Sequence, residues 1–194
     1  IVKEFDEPAA TIIKHTNPCG TAIGKDVQVA FGKVFDADPL SAFRGIVAVN
    51  RPVDEATAKV ILEKLAFFEI MMAPSFDPGS LKVFEARKNL RVMRLEGLGT
   101  VKEVVPGYHV RRVEGGFLLQ EFDQAGEDKG LYKTVTEKKP DPKLAKDMEF
   151  GWKLVKHVKS NAIVLVKDGV SLGVGAGQMN RVGSLEIAIE QAGE

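Results

Sequence analysis

Hydrophobic positions fall in short blocks along this chain, and the spacing inside each block predicts an element. "ATIIK" (10–14) is a continuous apolar run closed by a lysine, which predicts a buried strand running into a Thr-Asn-Pro-Cys-Gly turn. Val27, Ala30, Phe31, Val34 and Phe35 recur at helical spacing, and Asp38-Pro39 ends that helix. "GIVAVN" (45–50) predicts a second strand, after which Asp54 can cap a helix with Ala58, Ile61, Leu62 and Leu65 inward. "FEIMMA" (68–73) predicts a third strand, a short helix follows over 80–88, and "NLRVMRLE" alternates. "YHVRRVEGGFLLQEFD" (108–123) predicts two strands broken at Gly115-Gly116. Strands alternating with helices of about ten residues predict an α/β domain with a largely parallel sheet.

From Gly126 to Pro142 the pattern lapses: "GEDKGLYKTVTEKKPDP" is charged and poor in apolar residues, and reads as a linker or surface excursion. Beyond it, Leu144, Met148, Trp152 and Val155 mark the apolar side of an amphipathic helix. "AIVLV-KDG-VSLGVG" predicts a hairpin about a Lys-Asp-Gly turn, and "SLEIAIEQAGE" opens a further helix. The expected organisation is a first α/β unit over 1–125, a linker over 126–142, and the opening of a second, truncated unit over 143–194. The start on "IVKEF" without Met suits a piece of something longer.

Composition narrows the function classes. Lys+Arg and Asp+Glu both number 27, so no general nucleic-acid or membrane binder is expected and any anion site must be local. A single cysteine excludes an internal disulfide framework and suits a reducing compartment. With no apolar run of transmembrane length and no secretory signal, the expected location is cytoplasmic.

Candidate chemistry begins at Lys14-His15, at the end of the first strand, where open α/β sheets place ligands. A neutral imidazole can accept a proton, and the neighbouring ammonium offers a cation for a developing anion. The alternative is a polar strand end whose histidine bonds a loop carbonyl. Pro18-Cys19 resembles the Pro-Cys of zinc deaminases, but a zinc site needs three protein ligands and there is no second cysteine and no His-x-Glu. Cys19 therefore reads as a small packed residue at a tight turn. "GVGAGQMNR" (173–181) is spaced Gly-x-Gly-x-Gly, a weak match to a dinucleotide fingerprint. It offers either a local anion site of backbone N–H groups with Arg181 or a glycine-rich turn with a solvated arginine. His157 and His109 read as packed or surface residues. Asn161 can orient a substrate or cap a turn.

Taken in order, "KHTNPCG", "SAFRGIVAVN", "MMAPSF", "GGFLLQEFD" and "KSNAIVLVKDG…LGVGAGQMNRV" resemble the AICAR transformylase region of the bifunctional purine-biosynthesis enzymes that also carry IMP cyclohydrolase. The resemblance runs nearly end to end. It implies a cytidine-deaminase-like three-layer α/β unit with a mixed sheet and no catalytic zinc, followed by the start of a second similar unit. It also implies formyl transfer from 10-formyltetrahydrofolate, a co-substrate, to the 5-amino group of AICAR, giving FAICAR, with no metal required. By the same resemblance His15 is the proton acceptor, Lys14 stabilises the oxyanion and supplies a proton, and Asn161 positions the reacting groups. Glu69 holds the AICAR carboxamide or amine, Arg44 and Gly45 meet the nucleotide, Arg181 contacts substrate, and Val182 lies on the folate side. The partners implied are AICAR, the folate and a second copy of the chain in a homodimer with shared sites. The cyclohydrolase domain and flanking substrate segments fall outside this chain, so the isolated segment is expected to be inactive; the competing reading is a non-catalytic nucleotide-binding fragment. One position departs from the pattern: the family usually carries glycine where Arg44 stands.

Overall fold

The computed structural model describes residues 1–99, 107–123, 130 and 132–193. Contacts divide the chain into two compact units, Ile1–Thr100 with Pro140–Glu194, and Val101–Lys139.

In the first unit, strands β1 (Ala9–Lys14) and β2 (Asn17–Ile23) form a hairpin. Helices α1 (Val27–Ala37) and α2 (Pro39–Ala42) lead to β3 (Ile46–Val49), and α3 (Glu55–Lys64) to β4 (Ile70–Ala73). Helix α4 (Pro78–Phe84) precedes β5 (Arg91–Arg94). The described residues of the second unit include one hairpin, β6 (Tyr108–Val113) with β7 (Gly116–Glu121), turning at Gly115, whose φ of 81° suits a residue without Cβ. The chain then adds α5 (Pro142–Val155), β8 (Ile163–Lys167), β9 (Val170–Gly175) and α6 (Arg181–Ala192) to the first unit.

Seven strands form one sheet in the order β5-β4-β3-β1-β2-β9-β8. The sheet is mixed, which corrects the largely parallel expectation drawn from the strand–helix alternation. Among the strands described, β3–β4 and β4–β5 are the parallel pairs. The pairings β1–β2, β1–β3, β2–β9 and β8–β9 are antiparallel. The cause is local: tight turns join β1 to β2 and β8 to β9, and tight turns make antiparallel pairs, whereas a helical crossover returns the next strand parallel. The segment expected to open a second unit thus supplies two strands, β8 and β9, to the sheet of the first.

Aspartate or asparagine starts each of α1 to α6. Asp26, Asp38, Asp54, Asp77, Asp141 and Asn180 each accept a backbone N–H of the first turn, contributing about 1 kcal/mol apiece. Asp38 both ends α1 and caps α2, with Pro39 in that helix's first turn. Helices cover both faces. One core layer joins Ile12, Phe31, Val34, Val47, Ile61, Met71 and Phe84 beneath α1, α3 and α4. Burial of each large side chain there is worth about 1.5–3 kcal/mol. On the other face Phe5, Ala9, Ala48, Phe150 and Leu154 pack together, with Phe5 stacked on Phe150 at 5.1 Å between centroids.

Two expectations change. The stretch Asn17-Pro18-Cys19-Gly20 is strand, not turn, because the reversal is completed by His15 and Thr16 alone, at φ 50° and 67°. Cys19 is the extra residue of a bulge, since Ile12 pairs with Gly20 and Ile13 with Pro18. A proline is tolerated at such an irregularity. In α5 the buried side is Phe150, Gly151 and Leu154, while Leu144, Met148 and Trp152 are exposed. Gly151 lets the helix approach Val166 and Val164, so the backbone contact chose that side over the longer apolar stripe.

Candidate functional site

Sheet topology gathers the candidate residues. Strand β1 runs antiparallel to β3, and β3, β4 and β5 run parallel, so Ile13, Ile46, Ile70 and Arg91 form one row across four strands. Just beyond that row stand Lys14 and His15, at the carboxyl end of β1, and Arg44-Gly45 and Glu69, at the amino ends of β3 and β4. On the other side Asn17 begins β2 opposite Lys14. Strand β9, antiparallel to β2, ends at the same margin, and Ile163 pairs there with Gly175. Asn161 lies just before β8, and Arg181 and Val182 begin α6 just after β9. All eight candidates therefore sit at one end of the sheet. For the parallel strands this is the amino end, not the carboxyl end that open parallel sheets use.

Lys14 is half-buried and His15 exposed, on the left-handed turn between two strands; Thr16 Oγ1 donates to the His15 carbonyl at 2.6 Å. Beside this turn, the Asn161 backbone N–H and side-chain Nδ2 both donate to the Gln178 carbonyl, at 3.1 and 2.9 Å. Buried Ser184 donates to the Asn161 carbonyl at 3.1 Å, and the Ser160–Asn161 peptide is cis. Asn161 is thus held by the glycine-rich loop, and that loop is no dinucleotide cradle: a Cβ at Gly173 or Gly175 would run into the backbone oxygens of Ala188 and Ser184 in α6. Those glycines serve helix packing. Arg181 and Val182 project from the first turn of α6, exposed, with Asn180 capping through the Gly183 N–H at 2.7 Å.

Glu69 is the hub of the other half. Its Oε1 takes Nε and Nη2 of Arg44, both at 3.4 Å, and its Oε2 takes Nη1 of Arg91 at 3.2 Å. The Arg44 guanidinium also lies 5.6 Å from the centre of the Phe67 ring. Arg44, Phe67, Glu69, Lys88, Asn89, Leu90 and Arg91 line an open cleft of about 430 Å³. Arg44 holds φ at 63°, a left-handed backbone that a glycine would adopt more readily. Gly45 is buried, and a Cβ on it would stand 2.6 Å from Ile12 Cγ2, so its absence of a side chain is a packing requirement.

Arg91, Lys88 and Asn17 were not anticipated. The signal for Arg91 lay in its position: it opens β5 in parallel register with Ile70, the residue that follows Glu69. Cys19 behaves as a packed thiol. Its Sγ donates to the Ser41 carbonyl at 3.5 Å, and burial, assisted by Asp38, pushes its pKa up to about 11. His157 bonds Glu4 at 2.9 Å, and His109 lies edge-on to Phe122 at 4.6 Å. Among the described residues no group of three His, Cys, Asp or Glu is placed to hold a metal ion, and no helix is long and apolar enough to cross a membrane.

Comparison with known proteins adds the family. The AICARFT/IMPCHase bienzyme family matches residues 1–191. The chain is 49% identical over 194 residues to the bifunctional purine biosynthesis protein PurH of Bacillus subtilis (strain 168), and 47% identical to that of Desulfitobacterium hafniense (strain Y51). Over 193 residues it is 48% identical to PurH of Thermoanaerobacter sp. (strain X514). Each alignment covers 100% of this chain and 37% of the relative, so the chain spans well under half the length of the proteins it matches. With its whole length bar the last few residues matched and its candidate residues drawn to one sheet margin, the chain belongs to the AICARFT/IMPCHase bienzyme family.

Proposed function

We propose that this chain contributes the reacting end of a formyl transfer from 10-formyltetrahydrofolate to the 5-amino group of AICAR, giving FAICAR on the route to IMP. The observation that carries the reading is the convergence of Lys14, His15, Arg44, Gly45, Glu69, Asn161 and Arg181 at one sheet margin in a member of this family. An amine conjugated to a ring is a weak nucleophile and must lose a proton as it attacks the formyl carbon. His15, exposed on its turn, accepts that proton. The new C–N bond leaves a tetrahedral oxyanion; Lys14 faces that charge and supplies the proton with which the folate nitrogen departs as the oxyanion re-forms the carbonyl and the bond from carbon to the folate nitrogen breaks. Asn161, immobilised from Gln178 and Ser184, orients the reacting groups. Glu69 receives the carboxamide or amine of AICAR, Arg44 and Gly45 border the nucleotide, and Arg181 and Val182 flank substrate and folate.

The same reading takes the fold as cytidine-deaminase-like. It places the protein in the cytoplasm as a homodimer with shared sites. The test is His15→Ala in the protein expressed from its native gene. Turnover should fall by about 10²-fold or more while nucleotide affinity stays within about 2-fold. A near-normal turnover number overturns the assignment.

A further inference from the structure

Between the His15 turn and Asn161 runs one unbroken set of hydrogen bonds, and its first member is a side chain. Asn17 Oδ1 accepts the backbone N–H of Lys159 at 3.1 Å, joining residues 142 positions apart. The Lys159 carbonyl accepts Gly177 N–H at 2.7 Å, and Gln178 in turn holds both nitrogens of Asn161. Asn17 is itself fixed by register, as the residue paired with Lys14 directly after the His15-Thr16 turn. It is half-buried, whereas Lys159 is exposed, so without the Asn17 acceptor the Lys159 N–H would bond water instead. Strands β2 and β9 are joined at Ala22 with Val170 and by the hydrogen bonds of Ile23 with Gly169 and Thr21 with Ser171 beside it, all well back from this margin, so strand pairing does not by itself hold the two loops together.

We infer that Asn17 is a positioning residue, setting the separation between the Lys14-His15 turn and the Asn161 segment. The inference rests on the formyl-transfer reading for its catalytic consequence, but not for the anchoring itself. A proton acceptor and an orienting amide on different loops must keep a fixed gap, and a misplacement near 1 Å can cost about 10²-fold in rate. A single charge-neutral hydrogen bond restrains less than a covalent tie, so the expected loss is smaller.

Three variants test this. Asn17→Ala removes the acceptor, Asn17→Asp keeps an oxygen at the same reach, and Asn17→Gln keeps the amide on an arm one methylene longer. In the protein expressed from its native gene, Asn17→Ala and Asn17→Gln should lower kcat by about 10-fold with both KM values within about 2-fold, and Asn17→Asp should restore most of it. In the 194-residue chain, amide exchange at Lys159 should quicken by about 10-fold in Asn17→Ala and stay near wild type in Asn17→Asp. Unchanged exchange in Asn17→Ala overturns the anchoring whatever the activity. Faster exchange with unchanged kcat overturns the positioning role. Quickened exchange in the chain, together with no formyl transfer by the protein from the native gene, counts against the reaction and leaves the anchoring standing. Should Asn17→Ala fail to fold, the Asp and Gln pair decides alone: equal kcat in the two overturns the inference.

Discussion

Arg44 occupies a backbone conformation that an L-residue enters at a cost near 1 kcal/mol, and its guanidinium then faces Glu69 and Phe67. The Glu69 carboxylate has a second arginine, Arg91, on its other oxygen, so under the proposed reaction an incoming AICAR would have to share or displace one of them. Both ion pairs are largely solvent-exposed at 3.2–3.4 Å, worth at most about 1 kcal/mol, so they can yield to substrate. Arg44→Gly should therefore raise the chain's thermal stability slightly, by about 0.5–1 kcal/mol, because glycine takes this φ without strain. In a formyl-transfer assay the same variant should raise the KM for AICAR by roughly 10-fold if the guanidinium meets the phosphate, and by less for the nucleoside lacking that anion. An equal effect on both substrates, or none, makes Arg44 a surface residue. Cys19 is a simpler case: a bulged thiol whose pKa burial raises is a poor nucleophile, so on the formyl-transfer reading Cys19→Ala should leave kcat within about 2-fold of wild type in steady-state assays.

At the scale of elements, helix α6 lies against bare backbone. Gly173 and Gly175 present no side chain to it, and the carbonyls of Ala188 and Ser184 occupy the space a methyl would need. Gly173→Ala must push the helix off β9 and with it the loop that holds Asn161; a loss of about 1–3 kcal/mol in urea titration is expected. A midpoint like wild type would show that the helix can shift freely. This contact also explains what pattern reading could and could not recover. Blocks of period two and period 3.6 located the strands and helices well, and the aspartates before Pro39, Pro78 and Pro142 mark helix starts that local chemistry alone dictates. Strand direction was not legible in those blocks, because it is set by connection length: the reversal at His15-Thr16 converted the expected turn residues Asn17 to Gly20 into strand. The buried side of α5 was not legible either. Leu144, Met148 and Trp152 outweigh Phe150 and Leu154 in apolar surface, yet Gly151 decides the packing by permitting close approach to Val166. Lys14, His15 and Asn161 were readable as candidates in the sequence, whereas the contacts of Arg91 and Asn17 depend on register across strands far apart in sequence.

Across the whole first unit, the N-terminal segment is tied to residues more than a hundred positions away. Buried Asn50 accepts from Ala9 N–H at 2.7 Å and donates to the carbonyls of Val2, Phe5 and Glu7, while Phe5 stacks on Phe150 of α5. Glu4 completes the closure, bonding both His157 and Lys156 at 2.9 Å through the same carboxylate oxygen. The His157 hydrogen bond chiefly, helped by Lys156 and opposed by partial burial, holds the Glu4 carboxyl at about 2, below its ordinary 4.5. A folded-state value below the unfolded one means that the ionised carboxylate stabilises the fold. That contribution is fully present above about 4.5 and drains away as pH falls toward about 2. Since the group remains partly solvated, screening limits it to about 1 kcal/mol at neutral pH. Glu4→Gln should accordingly unfold at a lower temperature than wild type at pH 7, and the gap should close as both are titrated from about pH 4.5 toward pH 2. Thermal unfolding of the two proteins across that window measures it directly. A gap that stays constant down the titration would mean that Glu4 acts through packing and not through its charge.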